Sequence, residues 1–439
     1  MEKIVSLTKR RGFIFPGSEI YGGLAGTWDY GPLGAILKHI LIWEWRQKFV
    51  FSRGDMFLIE SGILMNRKVW EVSGHVDSFV DPMVDCRRCK SRFRADQIHL
   101  EKPCPVCGAQ DFTAVRPFNT MFKTHVGPVE DTAAETFLRP ETAQGMFVNF
   151  KNILDTMHPK LPFGITQVGK AFRNEITPGD FIFRTREFEQ MEIEYFIRAE
   201  EWERWFDYWL DEMRGWISFL GLDPTKIHER EVPEKDRAHY SGRTVDIDYD
   251  FPFGREELYG IAYRTDFDLK RHAEVSGADL SSFDEESKER LVPHVIEPTF
   301  GVDRTILALF VEHYAEDNGR VILKLPPRLA PIKVAVFPLL ANKPDLVQKA
   351  RSIYEVLRMP IGARRGAAVA WDDRGNIGKR YYAQDEIGTP WCVTVDFQTL
   401  KDDTVTVRDR DTTKQERIAV PELVAYFNEK LSLPYGKSQ

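Results

Sequence analysis

The chain has 439 residues, of which 43% are hydrophobic and 29% are charged, and its formal net charge at pH 7 is −7. This length exceeds that of one ordinary core and predicts two or three domains, while the acidic balance argues against a generally basic nucleic-acid coat. No apolar run approaches the roughly 20 residues of a membrane span, and the first residues lack the apolar core of a signal peptide, so we expect a cytoplasmic protein that does not enter a membrane.

The first long element in chain order is a helix predicted over residues 31–50. Apolar residues recur there at helical spacing, and Pro32 occupies the first turn, where a helix tolerates proline. A strand-like segment at 56–65 follows it.

Two C-x-x-C pairs come next. Their members are Cys86, Cys89, Cys104 and Cys107. Two such pairs bring four thiolates around one tetrahedral ion, and the spacing predicts a structural zinc site in a ribbon-like insertion over about 85–117. Four thiolates leave no open position for water, so we expect no catalytic role for the ion. Two disulfides are the alternative interpretation, which a cytoplasmic location disfavours.

The segment 169–196 predicts two strands joined by a turn at 176–180. Arg173 and Glu175 stand two residues apart, so on a strand their side chains would face the same way. The return strand carries two arginines, an aromatic residue and a carboxylate, which are Arg184, Arg186, Phe188 and Glu192. Guanidinium groups suit phosphates, an aromatic ring suits a purine and carboxylates suit a cation, so the pattern predicts a nucleoside triphosphate site.

Helical spacing returns over 199–222, and a strand pair is predicted at 244–252 and 258–269. An acidic surface helix is predicted over 282–291. Further along, the sequence places Arg304 on a helix behind a glycine.

Prolines interrupt the pattern at 324–331 and predict a domain boundary there. Strand-like and helical segments alternate after it, which is typical of a mixed α/β domain. Cys392 lies in a strand-like context and is predicted to be a small core residue.

The segments 169–196 and 296–310 resemble motifs 2 and 3 of the class II aminoacyl-tRNA synthetases. With "VWEVSGHVDSFVDP", "RPETAQG" and "NIGKRYYAQDEIG", essentially the whole chain is similar to the bacterial-type homodimeric glycyl-tRNA synthetases. The resemblance implies an α+β fold, in which residues 1–325 form a class II catalytic domain built on an antiparallel sheet. It also implies a further insertion at about 223–291 and an anticodon-binding α/β domain at 331–439.

The reaction implied by this resemblance is the ATP-dependent ligation of glycine to glycine tRNA. Glycyl-adenylate is the expected intermediate, pyrophosphate and AMP are the products, and Mg²⁺ accompanies ATP. The catalytic residues implied are Arg173, Glu175 and Arg304. Arg173 would contact the α-phosphate and the reacting carboxylate, because its planar guanidinium matches both. Phe188 and Arg304 would stack on the two sides of adenine.

The ATP-binding residues implied are Arg173, Asn174, Glu175, Phe183, Arg184, Arg186, Phe188, Glu257, Leu258, Gly301 and Arg304. The glycine-binding residues implied are Arg94, Glu141, Phe188, Gln190, Glu192, Glu297, Thr299 and Gly301. Of these, three glutamates would converge on the glycine ammonium, namely Glu141, Glu192 and Glu297. Glu257 and Glu297 are the expected magnesium ligands. Thr299 stands where the family often has serine, which adds a methyl group to a pocket that must stay small.

Several alternatives remain open at this point. His75 either lines the acceptor end of the tRNA or satisfies a turn, and Glu192 with Glu194 could form a solvated face. A non-catalytic relative that serves as an accessory subunit of a DNA polymerase would share the architecture, but Arg173, Glu175 and Arg304 are all retained. A class II synthetase for threonine, serine or proline would need a metal or a roomier pocket at the substrate. In the C-terminal domain, the expected phosphate contacts are Arg374, Lys379, Arg380 and Arg408.

Overall fold

The computed structural model describes residues 1–128, 134–284, 288–362 and 368–432. Its helices are α1 (Glu2–Arg10), α2 (Pro32–Arg46), α3 (Arg67–Val72), α4 (His75–Ser78), α5 (Ala143–Phe147), α6 (Phe150–Met157), α7 (Trp202–Leu220), α8 (Phe267–Ser276), α9 (Val302–His313), α10 (Pro344–Gly362), α11 (Ile377–Ile387), α12 (Thr399–Asp402) and α13 (Leu423–Ser432). Its strands are β1 (Ile14–Pro16), β2 (Trp28–Tyr30), β3 (Met56–Leu58), β4 (Val80–Asp85), β5 (Arg92–Arg94), β6 (Arg116–Asn119), β7 (Lys123–His125), β8 (Glu135–Phe137), β9 (Phe163–Phe172), β10 (Glu187–Ile197), β11 (Ile227–Glu231), β12 (Arg243–Phe251), β13 (Gly254–Thr265), β14 (Ser282–Phe283), β15 (Arg290–Leu291), β16 (His294–Gly301), β17 (Tyr314–Asp317), β18 (Arg320–Leu323), β19 (Ile332–Pro338), β20 (Ala368–Trp371), β21 (Trp391–Val395), β22 (Thr404–Asp409) and β23 (Gln415–Ala419).

A seven-stranded sheet in the order β11-β12-β13-β16-β10-β9-β3 carries the site; we call it the large sheet. Adjacent strands of the large sheet are antiparallel, except that β3 runs parallel to β9. Helices α2, α7 and α9 pack against one face and form the main apolar core with it. Side chains alternate between the two faces of a strand, so Met191 enters this core while its neighbours Gln190 and Glu192 point to the opposite side. The expected α+β architecture on an antiparallel sheet is confirmed.

The large sheet contradicts the expected further insertion at 223–291. Strands β11, β12 and β13 belong to that range, and β13 pairs directly with β16 near the middle of the sheet. The alternating apolar residues of β12 and β13, such as Val245 and Ile261, are buried in the main core. The segment is therefore an integral part of the fold. The acidic helix predicted at 282–291 is not found at either end of that range. Its first two residues form β14 and its last two form β15, and these strands pair with each other in antiparallel fashion. Residues 285–287 lie outside the described ranges.

A separate three-stranded sheet, in the order β5-β4-β6, carries the four spaced cysteines in its connections. The C-terminal part of the described chain forms a five-stranded sheet, β20-β19-β21-β22-β23, in which β19 is parallel to both of its neighbours. Helices α10 and α13 cover one face and α11 packs against the other. Cys392 on β21 is 1% exposed, so its prediction as a core residue is confirmed.

Charged groups fasten this C-terminal sheet to the preceding hairpin of β17 and β18. The buried carboxylate of Asp385 pairs with Arg320 at 3.1 Å and with Arg408 at 2.9 Å. Arg410 donates to the carbonyl oxygens of Leu323 and Gly388, at 3.1 and 2.8 Å. Gly388 has a φ of +82°, and a Cβ there would lie 2.9 Å from the Leu323 oxygen, so glycine is required at this contact. None of the helices in the described ranges has the length and apolar character that crossing a bilayer requires.

Candidate active site

A cleft of about 330 Å³ lies on the polar face of the large sheet. Most of the expected residues line it. From the expected ATP set it contains Arg173, Glu175, Phe183, Arg184, Phe188, Glu257, Leu258, Gly301 and Arg304. From the expected glycine set it contains Glu141, Phe188, Gln190, Glu192, Glu297, Thr299 and Gly301. The two sets therefore share one continuous cavity.

Three expected residues are placed elsewhere among the described residues. Arg94 lies on β5 of the cysteine-bearing sheet, where it pairs with Asp81 at 3.0 Å and with Asp96 at 2.8 Å. Asn174 follows Arg173 but is absent from the cleft lining, and its backbone N–H donates to another loop. Arg186 donates through Nη2 to the Glu175 carbonyl at 3.1 Å and through Nη1 to the Ala25 carbonyl. Its guanidinium therefore braces the backbone of the loop.

The structure corrects the expectation that Arg173 and Glu175 lie on a strand. Strand β9 ends at Phe172 and β10 begins at Glu187, so the two residues belong to the connection between them. The backbone explains this ending, because the N–H of Glu175, which would continue the ladder after Arg173, donates to the Arg173 carbonyl at 2.7 Å instead of across the hairpin. This connection, which also contains Arg184 and Arg186, contributes Glu175, Phe183 and Arg184 to the lining of the cleft.

Two arginines mark one end of the cleft. Arg173 donates through Nε to the Pro140 carbonyl at 3.1 Å, and its guanidinium lies 5.2 Å from the ring centre of Phe188. Arg304 stands in the first turn of α9, pairs with Glu257 at 3.1 Å and stacks 4.6 Å from the ring centre of Phe183. Guanidinium groups held over aromatic rings keep free N–H donors and a flat face, which suits phosphate and a purine.

Carboxylates crowd the other end of the cleft. Glu192 accepts hydrogen bonds from the Thr142 backbone N–H at 3.1 Å and from Gln190 Nε2 at 2.8 Å. The hydroxyl of Thr299 lies 3.5 Å from Glu192 Oε1. Burial, together with the nearby charge of Glu141, raises the pKa of Glu192 above its usual range. This end is suited to a small cation.

Arg264 is a residue of this site that sequence reasoning missed. Its side chain is fully buried and donates to Glu297 at 2.7 Å and to Asp268 at 2.8 and 3.0 Å. Its guanidinium also stacks 3.7 Å from the ring centre of Tyr240. The available signal was the spacing of Arg264 and Asp268, four residues apart in "IAYRTDFDLKRH" at the end of a strand.

The neighbouring glutamates differ in their charge. Burial raises the pKa of Glu297 to about 8 against the opposing effect of Arg264, and the charges of Glu192 and Glu141 add to the increase. Burial also favours the neutral form of Glu141, but His75 at 3.2 Å, helped by Arg264, lowers the pKa of Glu141 well below its usual range. The site therefore holds ionised and neutral carboxyls side by side.

Glu194 continues the same face of β10 beneath the cleft and is fully buried. Neither of its carboxyl oxygens has a hydrogen-bond partner in the part of the chain that the structure describes. Burial and the charge of Glu297 raise the pKa of Glu194 well above its usual range. The interpretation of Glu192 and Glu194 as a solvated face is therefore wrong.

The four spaced cysteines converge as predicted. All four Sγ atoms lie within 4.8 Å of one another, with 3.6 Å between Cys86 and Cys107 and 3.8 Å between Cys89 and Cys104. Zinc bound tetrahedrally at about 2.3 Å from each sulfur would separate the sulfurs by roughly 3.8 Å. The donor set and its spacing fit such an ion.

Two of the expected phosphate contacts in the C-terminal domain are wrong. Arg380 is 2% exposed and donates to backbone carbonyls, including those of Arg374 at 3.1 Å and Gly375 at 2.8 Å. Arg408 is 5% exposed and is paired with Asp385. Arg374 and Lys379 are exposed, so both stay predictions.

Comparisons with known proteins agree with this geometry. A family model described as the tRNA synthetase class II core domain (G, H, P, S and T) matches residues 122–314, and a model described as an anticodon binding domain matches residues 333–430. A prolyl-tRNA synthetase from Cryptosporidium parvum, solved with halofuginone and AMPPNP, superposes with a TM-score of 0.68. It is 16% identical, and the match covers 98% of this chain and 74% of that one, which supports the fold alone.

Curated relatives are more similar in sequence. Glycine–tRNA ligases from Alkaliphilus oremlandii and Caldanaerobacter subterraneus are each 50% identical to this chain, and one from Geobacillus thermodenitrificans is 49% identical. Each match covers 98% of this chain and 98% of the relative. Half of the aligned residues are thus shared along nearly the full length, on a fold and cleft of the matching kind, and the chain belongs to the glycine–tRNA ligase family of class II aminoacyl-tRNA synthetases.

Proposed function

We propose that the protein ligates glycine to glycine tRNA in an ATP-dependent reaction that proceeds through glycyl-adenylate. The observation that carries the proposal is the division of one cleft into two ends. Arg304 lies near the start of β10, at the end suited to a nucleotide, Glu141, Glu192 and Glu297 lie where an ammonium group would fit, and the charge of Arg173 acts between the two groups. The family relationship supports the same reaction.

In the first step, a glycine carboxylate oxygen attacks the α-phosphorus of ATP. The bond to the β-phosphate breaks, and pyrophosphate leaves. Arg173 would contact both the α-phosphate and the attacking carboxylate, so it would align the reactants and stabilise negative charge as it develops. In the second step, a terminal ribose hydroxyl of the tRNA attacks the carbonyl carbon, and AMP leaves.

We assign the remaining ATP contacts to residues at the same end of the cleft. Phe188 and Arg304 would hold the adenine, and Arg184 would reach the outer phosphates. Magnesium bound with ATP would offset phosphate charge, and an exposed carboxylate oxygen is the ligand that it prefers. Glu257 fits this requirement better than Glu297, because Glu297 is buried and already bonded to Arg264. We propose that Arg186 acts on the loop and not on phosphate.

Glycine has no side chain that a pocket can contact, so its ammonium group must be recognised. The carboxylates at the buried end supply that recognition, and exclusion of a methyl group would reject alanine without an editing step. Thr299 lies at this end with its hydroxyl towards Glu192 and would narrow the pocket.

Further parts of the proposal concern assembly. We propose a cytoplasmic homodimer whose catalytic domain spans residues 1–325 and whose anticodon-binding domain spans residues 331–439. We also propose that the four clustered cysteines hold one structural zinc ion, since their sulfur separations fit it.

The test is ATP–pyrophosphate exchange with purified protein, one amino acid at a time and without tRNA. Exchange with glycine alone is expected, and Arg173→Ala should abolish it while leaving the thermal unfolding midpoint close to that of the wild type. Exchange with another amino acid would keep the class and overturn the glycine assignment. Folded protein that exchanges with none would favour a non-catalytic relative.

A further inference from the structure

His75 belongs to a short segment whose backbone is firmly placed. The preceding Gly74 has a φ of +83°, and a Cβ there would lie 3.0 Å from His239 Nε2. That same Nε2 bonds the Ser73 carbonyl at 3.0 Å. Glycine is therefore needed for both the conformation and the close approach, and the turn presents His75 in one direction.

Both ring nitrogens of His75 are engaged. Nδ1 lies 2.8 Å from the Ser73 hydroxyl, and Nε2 lies 3.2 Å from Glu141 Oε2. Trp70 and Phe79 pack around the ring, with centroids 5.6 and 5.5 Å away. With two polar partners and two aromatic neighbours, the imidazole has a fixed orientation.

Burial excludes one of the two roles that the sequence left open for this histidine, and the bond to Glu141 goes beyond the other. His75 is 2% exposed, so it cannot contact the acceptor end of a tRNA directly. A turn alone does not require a bond to a carboxylate of the cleft. The series of Ser73, His75 and Glu141 has the order of a nucleophilic triad, but Ser73 is 1% exposed and no substrate atom can reach its hydroxyl.

Glu141 is the cleft residue that this arrangement controls. Its Oε2 faces His75, and its Oε1 accepts from Gln144 at 3.2 Å. An N–H donor on each oxygen fixes the plane of the carboxylate, and a donor facing a carboxylate favours its ionised form. An ionised, oriented carboxylate is what an ammonium group needs.

We propose that His75 is a positioning residue for glycine, which acts by orienting Glu141 through Nε2 while Ser73 holds the opposite nitrogen. This inference rests on the proposed glycine function. It assigns to the S-G-H segment a role in amino acid recognition and none in direct contact with ATP or tRNA.

Steady-state ATP–pyrophosphate exchange tests the role, with KM measured separately for glycine and for ATP. His75→Ala should raise the glycine KM about tenfold or more, because a hydrogen bond to a charged group is lost, and leave the ATP KM within about twofold. His75→Gln should restore part of the loss, since its amide N–H can still donate. Ser73→Ala should raise the glycine KM by a smaller factor.

A double variant separates positioning from general damage. Because Ser73 acts through His75, combining Ser73→Ala with His75→Ala should give no larger glycine KM than His75→Ala alone. Equal increases in the ATP and glycine KM values would overturn the inference, as would an increase confined to the ATP KM or an unchanged glycine KM. If His75→Ala does not fold, His75→Gln and Ser73→Ala carry the same test.

The wild type is measured first. Glycine-dependent exchange by the wild type establishes the proposed function, so an unaffected variant then overturns only the role of His75. Absence of exchange by the wild type overturns the proposed function itself.

Discussion

Arg264 donates to Glu297 across 2.7 Å beneath the cleft, and its own side chain has no exposed surface. It is the buried cation around which Glu297, Asp268 and Glu141 gather, at 2.7, 2.8 and 3.9 Å. The positive charge of Arg264 offsets the mutual repulsion of these carboxylates, so that they can lie close together in the folded protein.

Replacing Arg264 by leucine should therefore destabilise the protein severely. Loss of one partner from a buried ion pair leaves uncompensated charge and costs about 3–5 kcal/mol. Thermal or chemical unfolding measures the loss. Arg290→Ala is the control, because Arg290 forms an exposed pair with Asp279 that should contribute only about 0–1 kcal/mol. Similar losses in both variants would contradict the role of Arg264.

Glycine binding should depend on pH. The pKa of Glu297 is raised to about 8, so this carboxyl is largely protonated at neutral pH, and a bound ammonium group favours its ionised form. The glycine KM should consequently fall as pH rises from about 6 to about 8, with protons released on binding. Exchange kinetics measure the KM, and calorimetry in buffers of different ionisation enthalpy measures the protons. A glycine KM that stays constant over this range would count against the prediction.

Glu194→Gln should stabilise the protein increasingly as pH rises. The pKa of Glu194 is higher in the folded than in the unfolded chain, so wild-type stability is complete below the unfolded pKa and decreases as pH rises above it. Glutamine does not titrate, and the difference in unfolding free energy should grow by up to about 1.4 kcal/mol per pH unit. Melting temperatures of both proteins at several pH values measure it. A difference that does not change with pH would show that Glu194 is ionised in the folded protein.

The sequence predicted the parts of the site that local patterns determine. Arg304 behind a glycine, the cysteine spacing and the long helix α7 depend on neighbours along the chain, and the structure has all three. The strand ends before Arg173 because the Glu175 N–H turns back to the Arg173 carbonyl, while the Asn174 N–H between them bonds the distant Thr120. No periodicity in the hairpin contains that information.

The features that the sequence did not predict also depend on contacts between distant parts of the chain. Arg264 becomes a site residue only when β13 pairs with β16, which brings it to Glu297 from 33 positions away in the chain. The interpretation of 223–291 as an insertion failed for this reason, since strand order in a sheet is set by contacts that no segment shows by itself. Burial of Arg380 likewise follows from the loops that surround it.

Purified protein should contain about one zinc ion per chain, as expected for one four-cysteine site. Cys89→Ser should remove it and lower the melting temperature, because the ion would hold together two turns whose cysteines are 15 to 21 residues apart in the chain. Elemental analysis measures the metal. Cys392→Ala is the matched control, since that thiol is buried in the C-terminal sheet, and it should leave the zinc content unchanged. Protein without zinc but with two disulfides would support the alternative interpretation.

Thr299→Ala should relax the choice between glycine and alanine. Removal of the hydroxyl and methyl groups enlarges the pocket near Glu192, and one methyl group in such a pocket accounts for about 10- to 200-fold discrimination. The ratio of kcat/KM values for the two amino acids in exchange measures the effect. Thr305→Ser is the control, because Thr305 is buried behind the cleft and bonds Tyr259. An unchanged ratio would place the selective contact elsewhere.

The charged junction below the C-terminal sheet has a consequence for the length of the substrate. Bending it would separate Asp385 from Arg320 and the Arg410 guanidinium from the Leu323 carbonyl, so buried polar groups on both sides would lose a partner. We therefore expect the span from the cleft to the anticodon-binding sheet to change little. We expect a tRNA with a lengthened anticodon arm to contact either the cleft or the anticodon-binding sheet, but not both at once. The protein would then select its tRNA by size as well as by sequence.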